Sequence, residues 1–141
     1  MIKLESVYRH KDHLRFLYAL LAERTPEQLI SHKKMPPYPE HEEFVLSKPY
    51  QCWYILIEES SGYSVGSIYL SKNREIGVAI APGYQNRGYG KEAVRLLMAR
   101  WPGRFLANIN PKNVRSAAFF EGFGFKHIQN TYELKESAWK S

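Results

Sequence analysis

Two runs of β-branched and aromatic residues, Cys52 to Glu58 and Tyr63 to Leu70, flank the turn Ser60-Ser61-Gly62 and predict an antiparallel hairpin. Glu75 to Ala81 adds a third strand to this meander through the polar turn Ser71-Lys72-Asn73. Upstream, Ile2 to Tyr8 alternates apolar and polar positions (Ile2, Leu4, then Val7 and Tyr8 out of phase), as a short first strand does. Asp12 offers a helix cap, and Leu14, Leu17, Tyr18 and Leu21 recur at helical spacing. Thr25-Pro26-Glu27-Gln28 reads as a capping box that opens a short helix ending near His32. After the proline-rich loop Met35-Pro36-Pro37-Tyr38-Pro39, Glu40 to Leu46 gives two helical turns with Phe44 and Val45 inward.

The second half of the chain alternates helix and strand. Ala93, Val94, Leu97, Met98 and Trp101 form the inner face of a helix stopped by Pro102-Gly103. Phe105 to Ile109 reads as a strand, Asn113 to Glu121 as a helix, and Lys126 to Gln129 and Thr131 to Leu134 as a closing pair of strands. The order β-α-α-β-β-β-α-β-α-β-β requires a mixed, mostly antiparallel central sheet flanked by helices, an α/β (α+β) architecture.

Composition narrows the class. A chain of 141 residues suits a single domain spanning 1–141, and 44% apolar content is that of a protein with a real core. The net charge of +6, spread over 20 basic residues without a run, favours an anionic or phosphate-bearing ligand without choosing its kind. The single Cys52 excludes an internal disulfide framework and fits a reducing compartment. Charged residues at Lys3, Glu5, Arg9, Lys11 and Asp12 interrupt any N-terminal apolar run, so a cytoplasmic protein is expected.

The chemistry concentrates where the meander ends. Glu75 to Lys91 reads E-I-G-V-A-I-A-P-G-Y-Q-N-R-G-Y-G-K, a strand that breaks at Pro82-Gly83 and enters a helix through Gln85-Asn86-Arg87-Gly88-Tyr89-Gly90. A strand feeding a helix through glycines leaves unpaired N–H groups at the positive end of the helix, open to close approach by a phosphate. Neither G-x-x-x-x-G-K-[ST] nor G-x-G-x-x-G is present.

The form Q-x-x-G-x-G after a strand resembles the acyl-CoA pyrophosphate loop of the GNAT N-acetyltransferase superfamily. A second stretch, N-V-R-S-A-A-F-F-E-G-F-G-F from Asn113 to Phe125, is similar to that family's N-x-x-S…G-F motif, about 25 residues further on and on the helix where the fold requires it. E-I-G, G-Y-G-K-E-A and N-x-x-S-x-x-F-F look most like the branch acetylating protein N-termini, polyamines and amino sugars. The region from Ile30-Ser31 through Glu40-His41-Glu42-Glu43-Phe44 also resembles acetyltransferases acting on amino-sugar nucleotides.

This resemblance implies an acetyl-CoA-dependent N-acetyltransferase without a metal, acting on a small-molecule primary amine such as an amino-sugar nucleotide by direct transfer in a ternary complex. A peptide N-terminus as acceptor, or a catalytically silent CoA-binding module, is the alternative, and a homodimer is compatible with each; no membrane partner is expected, and aromatics at strand and helix core positions weigh against a nucleic-acid partner. It implies that the backbone of Asn86, Arg87, Gly88, Tyr89, Gly90 and Lys91 receives the pyrophosphate, with the Gln85 side chain nearby. Val78 and Ile80 would pair with the pantetheine arm, and Asn113 and Ser116 would approach its sulfur end.

The family's tyrosine that protonates the leaving thiolate is replaced by Phe120, which leaves Ser116 as first substitute and Tyr132 as second. Glu75 matches an acidic position that serves as base, and its alternative reading is a strand-end charge opposite Arg74. His32 and His41 near the proline-rich loop are further bases to weigh against surface roles. Cys52 as a nucleophile lacks an adjacent histidine.

Overall fold

The computed structural model describes residues 1–23 and 35–140. The expected helix from Thr25 to His32, and with it His32 itself, lies outside the described residues.

Four strands, β1 (Ile2–Ser6), β2 (Cys52–Glu58), β3 (Ser64–Leu70) and β4 (Ile76–Ile80), form one antiparallel sheet in chain order. The hairpin register is set by Cys52 opposite Leu70 and Ile55 opposite Ser67, with an irregularity between Leu56 and Ile57. Because side chains alternate across the pleat, the sheet carries two cores. Ile2, Leu4, Leu56, Ile68, Leu70 and Ile76 join Ala93, Val94 and Leu97 of helix α3 (Tyr89–Arg100) and Phe120 of α4 (Val114–Glu121) on one face. Val7, Trp53, Ile55 and Ile57 pack with Leu14 and Leu17 of α1 (Asp12–Ala22) and Val45 of α2 (Tyr38–Leu46) on the other. Full burial of each of the larger side chains, such as Leu97 or Ile55, is worth roughly 1.5–3 kcal/mol, so both layers hold the sheet in place.

Gly77 marks the one place where β4 must be bare. A Cβ on it would meet the Tyr69 ring within 2.1 Å, so glycine lets that ring lie across the strand, stacked on Tyr50 at 3.9 Å between centroids.

Several expectations are corrected here. Asp12 begins α1 without capping it: Lys11 occupies the cap position, and Asp12 contributes its charge to the positive end of the helix. Phe44, expected inward, is 41% exposed. Neighbours on a helix point about 100° apart, and Val45 takes the buried side. Phe105 to Ile109 is not a full strand, for only Leu106 bridges, in parallel, to Glu75. Lys126 to Gln129 and Thr131 to Leu134 form no strands, and their apolar members Ile128 and Leu134 are exposed. A last short helix, α5 (Glu136–Trp139), follows them.

Candidate active site

The site is built where β4 parts from its parallel neighbour. The Ile76 N–H donates to the Leu106 carbonyl and the Leu106 N–H to the Arg74 carbonyl, both at 2.8 Å. Beyond this single bridge the two segments separate. Backbone groups alternate in direction along a strand, so Val78 and Ile80 share the outward orientation of Ile76. Ala81, of opposite parity, donates inward to the Val65 carbonyl at 2.8 Å. The outer edge of β4 is therefore open at the residues expected to pair with an extended ligand arm.

At the far end of that edge the chain turns. Pro82–Tyr84 make one turn of 3-10 helix, and the Gln85 Nε2 donates back to the Ile80 carbonyl at 3.2 Å. Asn86 has φ +65° and Gly88 φ +82°, two left-handed residues that swing the backbone into α3. Asparagine tolerates this region and glycine enters it without strain. The first bond of α3 runs from the Glu92 N–H to the Gly88 carbonyl at 3.0 Å. No side chain caps the helix, so the N–H groups of Tyr89, Gly90 and Lys91 have no intrahelical partner. A Cβ at Gly88 would meet nothing within 4 Å. The loop thus combines unpaired donors, the positive end of a twelve-residue helix, and free space for an anion.

The cradle is tied to its surroundings from three sides. The Arg115 Nη2 of α4 donates to the Asn86 Oδ1. The Tyr89 phenol donates to Glu58 Oε2 at 2.5 Å, and Arg87 Nη1 stands 3.7 Å from the same oxygen. The Ile2 N–H donates to Glu92 Oε2 at 3.0 Å, which pins β1 to the first turn of α3. Hydrogen bonds from Tyr89 and Ser61 hold the Glu58 carboxyl below the ordinary carboxylate range, whereas the hydrogen bond to Glu58, with burial, pushes the Tyr89 phenol up. The Arg87 guanidinium also lies over the Tyr84 ring, 5.1 Å from its centroid.

α4 brings the second motif alongside. Asn113 caps it by accepting the Ser116 N–H on Oδ1 at 3.0 Å, and Ser116 is half-buried on the helix face that carries Phe119 and Phe120. Phe119 reaches the start of α3, for a Cβ on Gly90 would lie 3.5 Å from its ring and 3.8 Å from Ile80. Phe120 is buried against Phe119 and Phe125.

Of the residues singled out in the sequence, Val78, Ile80, Gln85, Asn86, Arg87, Gly88, Tyr89, Gly90 and Lys91 follow one another along a continuous edge, and Asn113 and Ser116 open the neighbouring helix. Glu75 stands at the opposite end of β4 and accepts a hydrogen bond from the Asn108 side chain across the bridge. Tyr132 is not gathered with them: it is 88% exposed in the irregular segment after α4. His41 is buried beside Tyr18, ring centroids 5.2 Å apart, rather than presented on the surface. Burial pushes the Cys52 thiol up, which suits an inert strand cysteine better than a nucleophile. Glu58, Asn108 and Arg115 were given no role from sequence. Only Arg115 carried a signal, as a cation inside the second motif.

Comparison with known proteins agrees with this geometry. A domain from Methanocaldococcus jannaschii superposes with TM-score 0.78 at 22% identity, covering 94% of this chain and 93% of that one. A ribosomal-protein-alanine N-acetyltransferase from Brucella melitensis gives TM-score 0.69 at 19% identity, with coverage of 92% and 86%. A spermidine N-acetyltransferase chimera from Vibrio cholerae and hSSAT gives TM-score 0.68 at 15% identity, with coverage of 92% and 83%. At these identities the likeness is one of fold. No curated protein matches the chain by sequence. The family model of the acetyltransferase (GNAT) domain matches residues 7–126, most of the chain and both motifs, and the protein therefore belongs to the GNAT acetyltransferase family.

Proposed function

We propose that the protein transfers the acetyl group of acetyl-CoA directly to the primary amine of a small molecule, an amino-sugar nucleotide being the first class to test, with both substrates bound together. The observation that carries this reading is the uncapped start of α3, opened by left-handed Gly88, at the end of a strand edge that no other described segment pairs beyond the single Leu106 bridge. A diphosphate fits the first feature and an amide-bearing arm the second.

The residues divide the work accordingly. The N–H groups of Tyr89, Gly90 and Lys91 and the cations of Arg87 and Lys91 bind the diphosphate. The Val78 and Ile80 backbone aligns the arm, so that the thioester lies in the opening between β4 and the Leu106 segment. An outward N–H of β4 stabilises the oxyanion that forms when the neutral amine attacks the carbonyl carbon. As the C–N bond forms and the C–S bond breaks, the amine loses a proton and the sulfur leaves as thiolate.

Glu75, hydrogen-bonded by Asn108 at the bridge, is the proposed proton acceptor, acting through water. The water relay lets the carboxylate accept the proton as the C–N bond forms. Ser116 is the proposed donor to sulfur. The leaving thiol, with an ordinary pKa near ~8.5, asks little of it. CoA release from acetyl-CoA, measured against amino-sugar nucleotides, polyamines, aminoglycosides and N-terminal peptides alongside direct CoA binding, tests the proposal. Turnover confined to peptides would overturn the acceptor class, and absence of CoA binding would overturn the whole reading.

A further inference from the structure

Glu58 is a carboxylate in an unexpected place. It ends β2 at 8% exposure, beside the start of a helix whose proposed ligand is an anion. A buried carboxylate needs partners, and those it has come from two separate parts of the fold. Ser61 in the β2–β3 turn donates to Oε1 at 2.7 Å, while the Tyr89 phenol donates to Oε2 at 2.5 Å and Arg87 stands 3.7 Å from that oxygen. The Glu58 backbone is fixed as firmly. Its N–H donates to the Tyr63 carbonyl at 2.9 Å, and its carbonyl accepts the Gly62 N–H at 2.7 Å.

The rigid hairpin thus grips the cradle through one side chain. Tyr89 is the first residue of α3 and Arg87 immediately precedes its cap, so the two residues held by Glu58 bracket the left-handed Gly88. Both keep their backbone donors free while their side chains are held. We infer that Glu58 is a positioning residue for the phosphate cradle: by gripping Tyr89 and Arg87 from the hairpin it fixes the orientation of the N–H groups at the start of α3. The inference rests on the acetyl-CoA reading given above. Glu58 does not itself touch the ligand. Its charge is already hydrogen-bonded by two hydroxyl donors and faced by Arg87 at 3.7 Å, which limits its repulsion of a diphosphate.

The test compares CoA with pantetheine, which shares the arm but lacks the diphosphate. Both are titrated into the full chain and into Glu58→Gln and Tyr89→Phe variants. If Glu58 positions the cradle, the Kd for CoA rises about tenfold or more in both variants, as misplaced binding groups cause, while the Kd for pantetheine stays within about twofold. A purely structural role would weaken both ligands alike and overturn the inference. Unchanged CoA affinity in the folded variants would overturn it as well, leaving the proposed function intact. Failure of the unaltered protein to bind CoA would instead remove the proposed function and this inference with it. Should Glu58→Gln not fold, Tyr89→Phe decides alone, because that change deletes one hydroxyl from a half-buried ring.

Discussion

Substitution of Gly88 separates what the cradle does for the fold from what it does for a ligand. With φ +82° and ψ 6°, Gly88 occupies a conformation that costs an L-residue roughly 1–2 kcal/mol. A Cβ there meets nothing within 4 Å, so Gly88→Ala adds strain and no clash. For a domain of this size that lowers Tm by about 3–8 °C. Aspartate enters the left-handed region more readily than alanine and is itself a good helix cap, so Gly88→Asp is no less stable than Gly88→Ala.

For ligand binding the order inverts. The aspartate carboxylate takes the N–H groups the diphosphate needs and places a like charge against it. One pair of unit charges about 4 Å apart costs about 1 kcal/mol at the dielectric of water and about 4 kcal/mol at an effective value of 20, an affinity loss of roughly 5-fold to 1000-fold. Thermal melts and calorimetric CoA titrations on both variants give the two orders directly, and the binding loss grows as salt is lowered. Gly83, whose added Cβ also meets nothing and whose φ is not left-handed, is the control: Gly83→Ala leaves Tm unchanged or slightly raised. A folded Gly88→Asp protein that binds CoA like the parent would refute the assignment of the diphosphate to this loop.

Three further outcomes are expected. Asn113→Ala removes the side-chain cap of α4, the bond from the Ser116 N–H, and costs about 1 kcal/mol, readable as a lower midpoint in urea. Glu5 accepts a bond from buried His13 at 2.7 Å, and chiefly that bond holds its carboxyl below the usual value of 4.5. A depressed carboxylate stabilises the fold fully above its unfolded value and loses that contribution as pH falls through its folded one. Stability therefore drops as the medium is acidified below pH 4.5, and Glu5→Gln flattens the drop in melts recorded across that range. Finally, Ser116→Ala lowers kcat by less than about a hundredfold, because a thiol of ordinary pKa near ~8.5 needs little help to leave, whereas Tyr132→Phe leaves the rate unchanged. The reverse ranking in steady-state assays would exchange their roles.

Where sequence and structure agree, the signal was local. The β2 boundaries and the inner face of α3 follow from alternation and helical spacing that nearby residues decide. The cradle was legible for the same reason, since its glycines and the strand before it lie within one short stretch. Phe105 to Ile109 has strand composition, but a strand exists only where a neighbour pairs with it, and here the neighbour is met at Leu106 alone. The same holds for Lys126 to Leu134. Glu58 escaped notice because its partner Tyr89 lies 31 positions away, a separation that no pattern in the chain encodes. Asn108 beside Glu75, 33 positions apart, is the same case.

The brevity of the open edge on β4 has a consequence for solubility. Exposed strand edges invite a second chain to add to the sheet, and a long, flat, apolar one is an aggregation site. Here the edge is closed at one end by the Leu106 carbonyl on Ile76 and at the other by the Gln85 amide on the Ile80 carbonyl, at 2.8 Å and 3.2 Å. What remains is the Ile76 carbonyl, the outward pair on Val78 and the N–H of Ile80, four groups over roughly 13 Å at the rise of a β-strand. That gap admits a short extended arm but gives an invading strand few bonds with which to take hold. The same two closures that frame a place for a ligand arm also keep neighbouring molecules from pairing with it.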